Sequence, residues 1–320
     1  MFLQLAVVCC FVVMLFLPPP ALAAAGGATE ELFEQSQRWL QAGDFVKARD
    51  GFARCWKEFG AARGEEHQLT LDARIFYGQL LTMTGRADLG MNVLGALLDQ
   101  PGRAGLIASG SFALALRQSG QPGRAVKLLR KNLDRFTVET PEDYIHLGRF
   151  HSEISVSLAY LKRYREAEEH ARVALRTLDA AHLPPQAHRP CLLTILGQIY
   201  LLSGRDQEAA ATLAEAEVAS RPFWSEWHPE NAILQGALGI LALRHGRYDE
   251  AERRTRLSLA AMERLLGPDH GEVGMIARQL AGIMKKQRRK EEAKQWEARA
   301  RRIFDRIEGQ PEPVSAWAFR

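Results

Sequence analysis

A short turn returns along this chain at a nearly fixed interval. "GRYDEA" opens at Gly246, and 42 residues earlier "GRDQEA" opens at Gly204. Further steps of 42 reach "KRYREA" at Lys162 and "GQPGRA" at Gly120. A step of 35 leads to "GRADLG" at Gly85, and another 42 to "GDFVKA" at Gly43. In the other direction, 42 residues lead to "RRKEEA" at Arg288. Five residues after each opening stands a small residue: Ala48, Gly90, Ala125, Ala167, Ala209, Ala251 or Ala293. A period of this size marks an array of one supersecondary unit. Each unit hides its apolar face only against its neighbours.

Each period reads as helix, tight turn, helix. The turn favours Gly because the chain reverses just past a helix end, often with φ > 0. Lys162 and Arg288 lack that freedom, so a looser turn or another backbone shape is expected at those two positions. The small residue falls in the first turn of the second helix, where two helices cross closely. The first helices carry their own pattern. Leu193, Leu196, Gly197 and Tyr200 share one helical face, and small residues recur at Gly78, Ala113, Ser155, Gly197, Gly239 and Ala281.

With its "LGxxY…GRYxEA" core, the chain resembles the tetratricopeptide repeat family over roughly residues 30–308. The long period resembles the kinesin-light-chain variety, which joins its repeats with segments like "LGPDHPEVA". Here Leu266-Gly267-Pro268-Asp269-His270-Gly271-Glu272-Val273 matches, with Gly271 in place of the usual proline. His228-Pro229-Glu230-Asn231-Ala232 stands 42 residues earlier, and Glu139-Thr140-Pro141-Glu142-Asp143 is a weaker echo at a shifted offset. The resemblance implies an all-α, right-handed superhelical solenoid of helix-turn-helix units, about seven repeats across 29–308. In that frame Asp269 and His270 mark a helix start. Proline is tolerated in a first turn, and acidic groups suit the positive end of a helix dipole.

Catalytic chemistry finds little support. There is no His-Glu-x-x-His, no histidine pair at i,i+4, no Cys-x-x-Cys, no Gly-x-Ser-x-Gly and no phosphate loop. Acidic pairs such as Glu168-Glu169 and Glu291-Glu292 read as helix-start charges and solvated faces. No enzyme activity, cofactor or metal is expected.

The family resemblance implies that the first helices line a concave face where ligands lie. Carried onto this sequence, the partner-binding set is Gln79, Thr82 and Met83, then Arg117 and Gln118. It continues with Arg149, Ser152 and Tyr160, then Thr194 and Gln198, and ends with Arg244, Arg278 and Lys285. Basic residues outnumber acids in this set, which suits a peptide or protein partner carrying acidic groups. The same residues also read as ordinary exposed positions. The Lys/Asn carboxylate clamp of some family members is not visible. Phe223, Trp224 and Trp227 read either as a binding ridge or as a long loop packed on its neighbours. The basic-rich stretch that ends the array reads as a charged outer face, with a membrane-surface or nucleic-acid contact as the alternative.

Composition bounds these readings. Of 320 residues, 47% are hydrophobic and 25% charged, and 42 basic against 38 acidic side chains leave a formal net charge of +4. That excess is too small for a general nucleic-acid binder, so no nucleic acid partner is expected. Residues 1–25 hold an apolar run, "PPP" and small residues, with Ala21-Leu22-Ala23 as a cleavage point. They read as a signal peptide for a periplasmic or extracellular protein, or as an N-terminal anchor through residues 3–17. Membrane contact is expected only if this segment is retained. No Lys or Arg precedes the apolar run. Cys55 and Cys191 lie three units apart, so two separate buried thiols are expected. Residues 309–320 read as a flexible tail. The resulting reading is a non-catalytic scaffold that binds a peptide or protein in its groove. A structural assembly subunit of an envelope complex is the alternative, and an RNA-binding helical repeat the weaker one.

Overall fold

The 42-residue spacing leaves room for two helices of four to five turns and the links between them, and this is what forms. The computed structural model describes residues 27–100, 103–180 and 188–308. These residues contain fourteen α-helices and no strand. The expected signal segment 1–25 and tail 309–320 lie outside the described residues. Two compact units make up the remainder, residues 27–136 and 137–308.

The first unit holds three hairpins: α1 (Ala28–Gln41) with α2 (Phe45–Arg63), α3 (Gln68–Met83) with α4 (Ala87–Gly95), and α5 (Arg103–Gln118) with α6 (Pro122–Leu133). α4 has only 9 residues, and it lies where the turn spacing drops to 35. Phe33, Phe52, Phe59 and Phe76 join the first two hairpins. The Phe52 and Phe76 rings stack at 4.7 Å, and Phe33 meets Phe52 edge-on at 5.3 Å. Leu71, Ile75, Leu94, Leu97 and Ile107 carry the core onward.

The second unit holds four hairpins: α7 (Pro141–Tyr160) with α8 (Tyr164–Ala180), α9 (His188–Leu202) with α10 (Asp206–Ser220), α11 (Pro229–Arg244) with α12 (Tyr248–Leu266), and α13 (Gly271–Lys286) with α14 (Lys290–Glu308). Consecutive hairpins pack on one another, and the first helices α7, α9 and α11 neighbour each other in turn. Each unit is thus an all-α stack of helical repeats.

The turns share one backbone. Gly43, Gly85, Gly120, Gly204 and Gly246 have φ between 72° and 83°. Lys162 and Arg288 adopt the same left-handed conformation, with φ of 60° and 63°. The expected departure at these two residues does not occur, because the surrounding hydrogen bonds dictate the shape. Gly204 N–H donates to Leu201 C=O at 3.2 Å and Arg205 N–H to Tyr200 C=O at 2.9 Å. The same pair of bonds at Lys162 and Arg163 measures 2.9 and 3.0 Å, and at Arg288 and Arg289 3.1 and 2.9 Å. They satisfy the carbonyls that every helix end leaves open.

The small residue after each turn is buried in all seven hairpins. A Cβ added at Gly90 would lie 2.2 Å from Thr82 Oγ1 and 3.0 Å from the Gly78 carbonyl, so the crossing admits no side chain. Helix starts repeat as well. His67, His228 and His270 are N-caps of α3, α11 and α13, their Nδ1 atoms accepting the N–H two residues on at 3.2, 3.3 and 3.2 Å. His270 therefore begins a helix, as the family resemblance implies. The weaker echo at Glu139–Asp143 also starts a helix, through another device. The Asp143 carboxylate accepts the N–H groups of Glu139 and Thr140 at 3.0 and 2.8 Å.

Candidate partner-binding face

In the first unit, Gln79 on α3 donates through Nε2 to Ser111 Oγ on α5 at 2.6 Å. Both are buried, so this pair ties two neighbouring first helices together. Thr82 is fully buried and donates back to the Gly78 carbonyl at 3.1 Å, against α4. Met83 and Arg117 are buried, and Gln118 is half-buried. This part of the expected set thus includes a polar layer within the stack.

The second unit has the richer arrangement. Arg149 and Ser152 on α7 and Thr194 and Gln198 on α9 are all buried. Thr194 Oγ1 donates to the Pro190 carbonyl at 2.8 Å, a bond within its own helix. Burial, and then the charge of Arg149, hold His188 down at a pKa of about 4. The side-chain oxygen of Gln198 is buried and receives no hydrogen bond. A buried carbonyl without a donor carries the cost of lost hydration, roughly 1–3 kcal/mol.

The remaining expected residues divide by environment. Tyr160 is exposed at the end of α7. Arg244 is ion-paired to Asp206 at the start of α10. Lys285 is exposed and ion-paired with Glu297 on α14. The Arg278 guanidinium stands 5.9 Å from the Phe304 ring, a cation–π approach, and burial lowers its pKa while the Glu297 charge opposes that shift. Arg278 and Lys285 therefore sit along the α13–α14 hairpin, one face of the terminal unit.

Contacts between successive second helices hold features that the sequence reading missed. Glu168 is not a solvated charge: it is buried, and its oxygens meet Arg205 at 2.5 Å, Arg172 at 2.8 Å and the Tyr200 hydroxyl at 3.3 Å. The Arg205 guanidinium also lies 4.5 Å from the Tyr200 ring centre. Arg289 meets Glu252 and Arg254 meets Glu217 in the same way, each 37 residues apart, like Arg205 and Glu168. A spacing of one period less five residues signals this ladder.

Other candidates for chemistry are structural. His151 and His170 face each other across the α7–α8 hairpin with their Nδ1 atoms 2.9 Å apart. No group of three or more metal-binding side chains occurs among the described residues. Cys55 is a free, buried thiol, pushed up to about 12 chiefly by burial, and is not joined to Cys191. Cys191 is buried as well, its Sγ 3.4 Å from Glu230 Oε2. In the aromatic loop, Trp224 is buried and stacks on the His228 ring at 5.3 Å, while Arg264 covers Trp227 at 5.2 Å. Phe223 and Trp227 keep more than a third of their surface exposed, so the loop is partly packed and partly open. No described helix is long and apolar enough to cross a membrane.

The hairpins with shared turns and caps at 228 and 270 coincide with a match to the tetratricopeptide repeat family model over residues 230–306. These residues are tetratricopeptide repeats. The hairpins before them keep the same left-handed turn and the same buried small residue. Solved structures share the fold over more of the chain. BtubC (BKLC) from P. vanneervenii is 19% identical, with 75% of this chain and 92% of that one covered and a TM-score of 0.50. The apo form of RapI is 13% identical, with 88% of this chain and 99% of that one covered and a TM-score of 0.56. A Rap protein complexed with Competence and Sporulation Factor is 13% identical, with 88% and 76% covered and a TM-score of 0.64. No curated protein matches the sequence.

Proposed function

We propose that this chain is a non-catalytic scaffold that binds a peptide or protein partner along the first helices of its second unit. The observation that carries the reading is the row of first helices α7, α9 and α11, which neighbour one another in the stack. Such a row presents an extended surface to a peptide or protein. Arg278 and Lys285 add positive charge beyond it, suited to acidic groups on the partner. The similar Rap protein was solved with Competence and Sporulation Factor bound, which supports a ligand-binding use of this fold. Export is part of the proposal and rests on the apolar run and small residues within 1–25. The mass of the mature N-terminus tests it.

The binding reading is tested by selecting peptides from a displayed random library on the purified chain. Arg278→Glu/Lys285→Glu is expected to weaken the selected peptides by about tenfold or more, with helical content kept. Selected peptides that bind this variant as tightly as the parent chain refute the proposed face.

A further inference from the structure

The second helices carry their charges in different ways, and one of them is basic along its whole length. α10 holds four acidic residues and no basic one, and each acid has an arginine: Asp206 with Arg244, Glu208 with Arg205, Glu215 with Arg189, and Glu217 with Arg254. α6 is the reverse. Arg124, Lys127, Arg130 and Lys131 lie on it with no acidic residue in its span, so the helix alone carries a charge of +4, equal to the formal excess of the whole chain. All four are exposed. Its hairpin partner α5 has no acidic residue either, and α4 offers only Asp88. Lys127 and Lys131 meet no carboxylate among the described residues.

From this we infer that the outer face of α6 is a second docking surface, for an acidic segment of a protein partner. Arg124, Lys127 and Lys131 follow one another at steps of three and four residues, so they form one stripe along the helix. With Arg135 just beyond the helix end, the stripe runs about 16 Å, the length of roughly three helical turns. That matches the carboxylates of an acidic helix or a short extended acidic stretch. Two other anionic partners fit less well. An interfacial membrane helix buries its apolar side in lipid, but here Ala125, Val126 and Leu129 are buried in the protein. A surface for single-stranded nucleic acid interleaves aromatic side chains for stacking, and α6 has none. The surface lies on a different helix and a different unit from the proposed peptide-binding face, and does not depend on it.

The test uses the full chain and a fluorescein-labelled twelve-residue polyglutamate peptide, read by anisotropy at low salt. The parent chain is expected to bind and to release the peptide as salt rises. Lys127→Glu/Lys131→Glu is expected to lose about tenfold or more in affinity, and Lys127→Arg/Lys131→Arg to retain it. Absence of binding by the parent chain, or equal binding by the charge-reversed variant, overturns the inference. So does a preference, lost in that same variant, for phosphatidylserine vesicles or a twenty-nucleotide RNA over the peptide. Arg278→Glu/Lys285→Glu serves as the second control: if it abolishes binding while Lys127→Glu/Lys131→Glu does not, the peptide-binding face stands and the α6 surface falls.

Discussion

His228 and His270 each hold a helix start by accepting an N–H through Nδ1, and that bond requires a neutral ring. Burial pushes both pKa values down to about 4, from 6.5 for an unperturbed imidazole. The unfolded chain therefore binds more protons than the folded one between those values. The stability each cap contributes is complete above pH 6.5, shrinks as the pH falls, and is gone below about 4, a change of up to about 3 kcal/mol per residue. Glu272 acts in the opposite sense. Burial raises its pKa to about 7, so its contribution is present below 4.5 and is lost as the pH rises through 7. In a Glu272→Gln background, His228→Asn/His270→Asn keeps a capping acceptor but removes the titration. The urea midpoint of this variant is expected to vary less between pH 6.5 and 4 than that of Glu272→Gln alone; an unchanged slope contradicts the role assigned to these caps.

Turn shape is decided at the scale of the element. Lys162 and Arg288 sit where five other hairpins use glycine, and they adopt glycine's backbone because the two closing hydrogen bonds demand it. A left-handed residue with a Cβ carries about 1–2 kcal/mol of strain, partly offset by its lower freedom when unfolded. Both side chains are exposed. Lys162→Gly and Arg288→Gly are each expected to stabilise the chain by about 0.5–1 kcal/mol in urea titrations. A loss of stability would mean that these turns depend on something other than the shared backbone. The hairpins themselves were legible in the sequence. Gly43, Gly204 and Gly246 answer a local backbone demand, and Ala209 or Ala251 answers a helix crossing that recurs at one offset. Burial was less legible, because it depends on what neighbouring helices cover. Arg149 and Gln198 look exposed from their helical positions yet are buried. Glu168 looks solvated until Arg205, 37 residues away, closes over it.

At the scale of the molecule, each unit is modular: within it a hairpin interacts with the hairpins beside it, and the period is the unit of exchange. Residues 205–246 span one period of 42 within the second unit, from one left-handed turn to the next. Their excision joins Gly204 to Arg247 in unchanged register. Arg247 then takes the place of Arg205 beside Glu168, so even the charge ladder keeps its partner. Circular dichroism and thermal melting of the shortened chain test the claim most directly. The expected product is a soluble protein that loses helix signal in proportion to the excised residues and still melts cooperatively. An aggregated or unfolded product, when the parent chain folds under the same conditions, contradicts it.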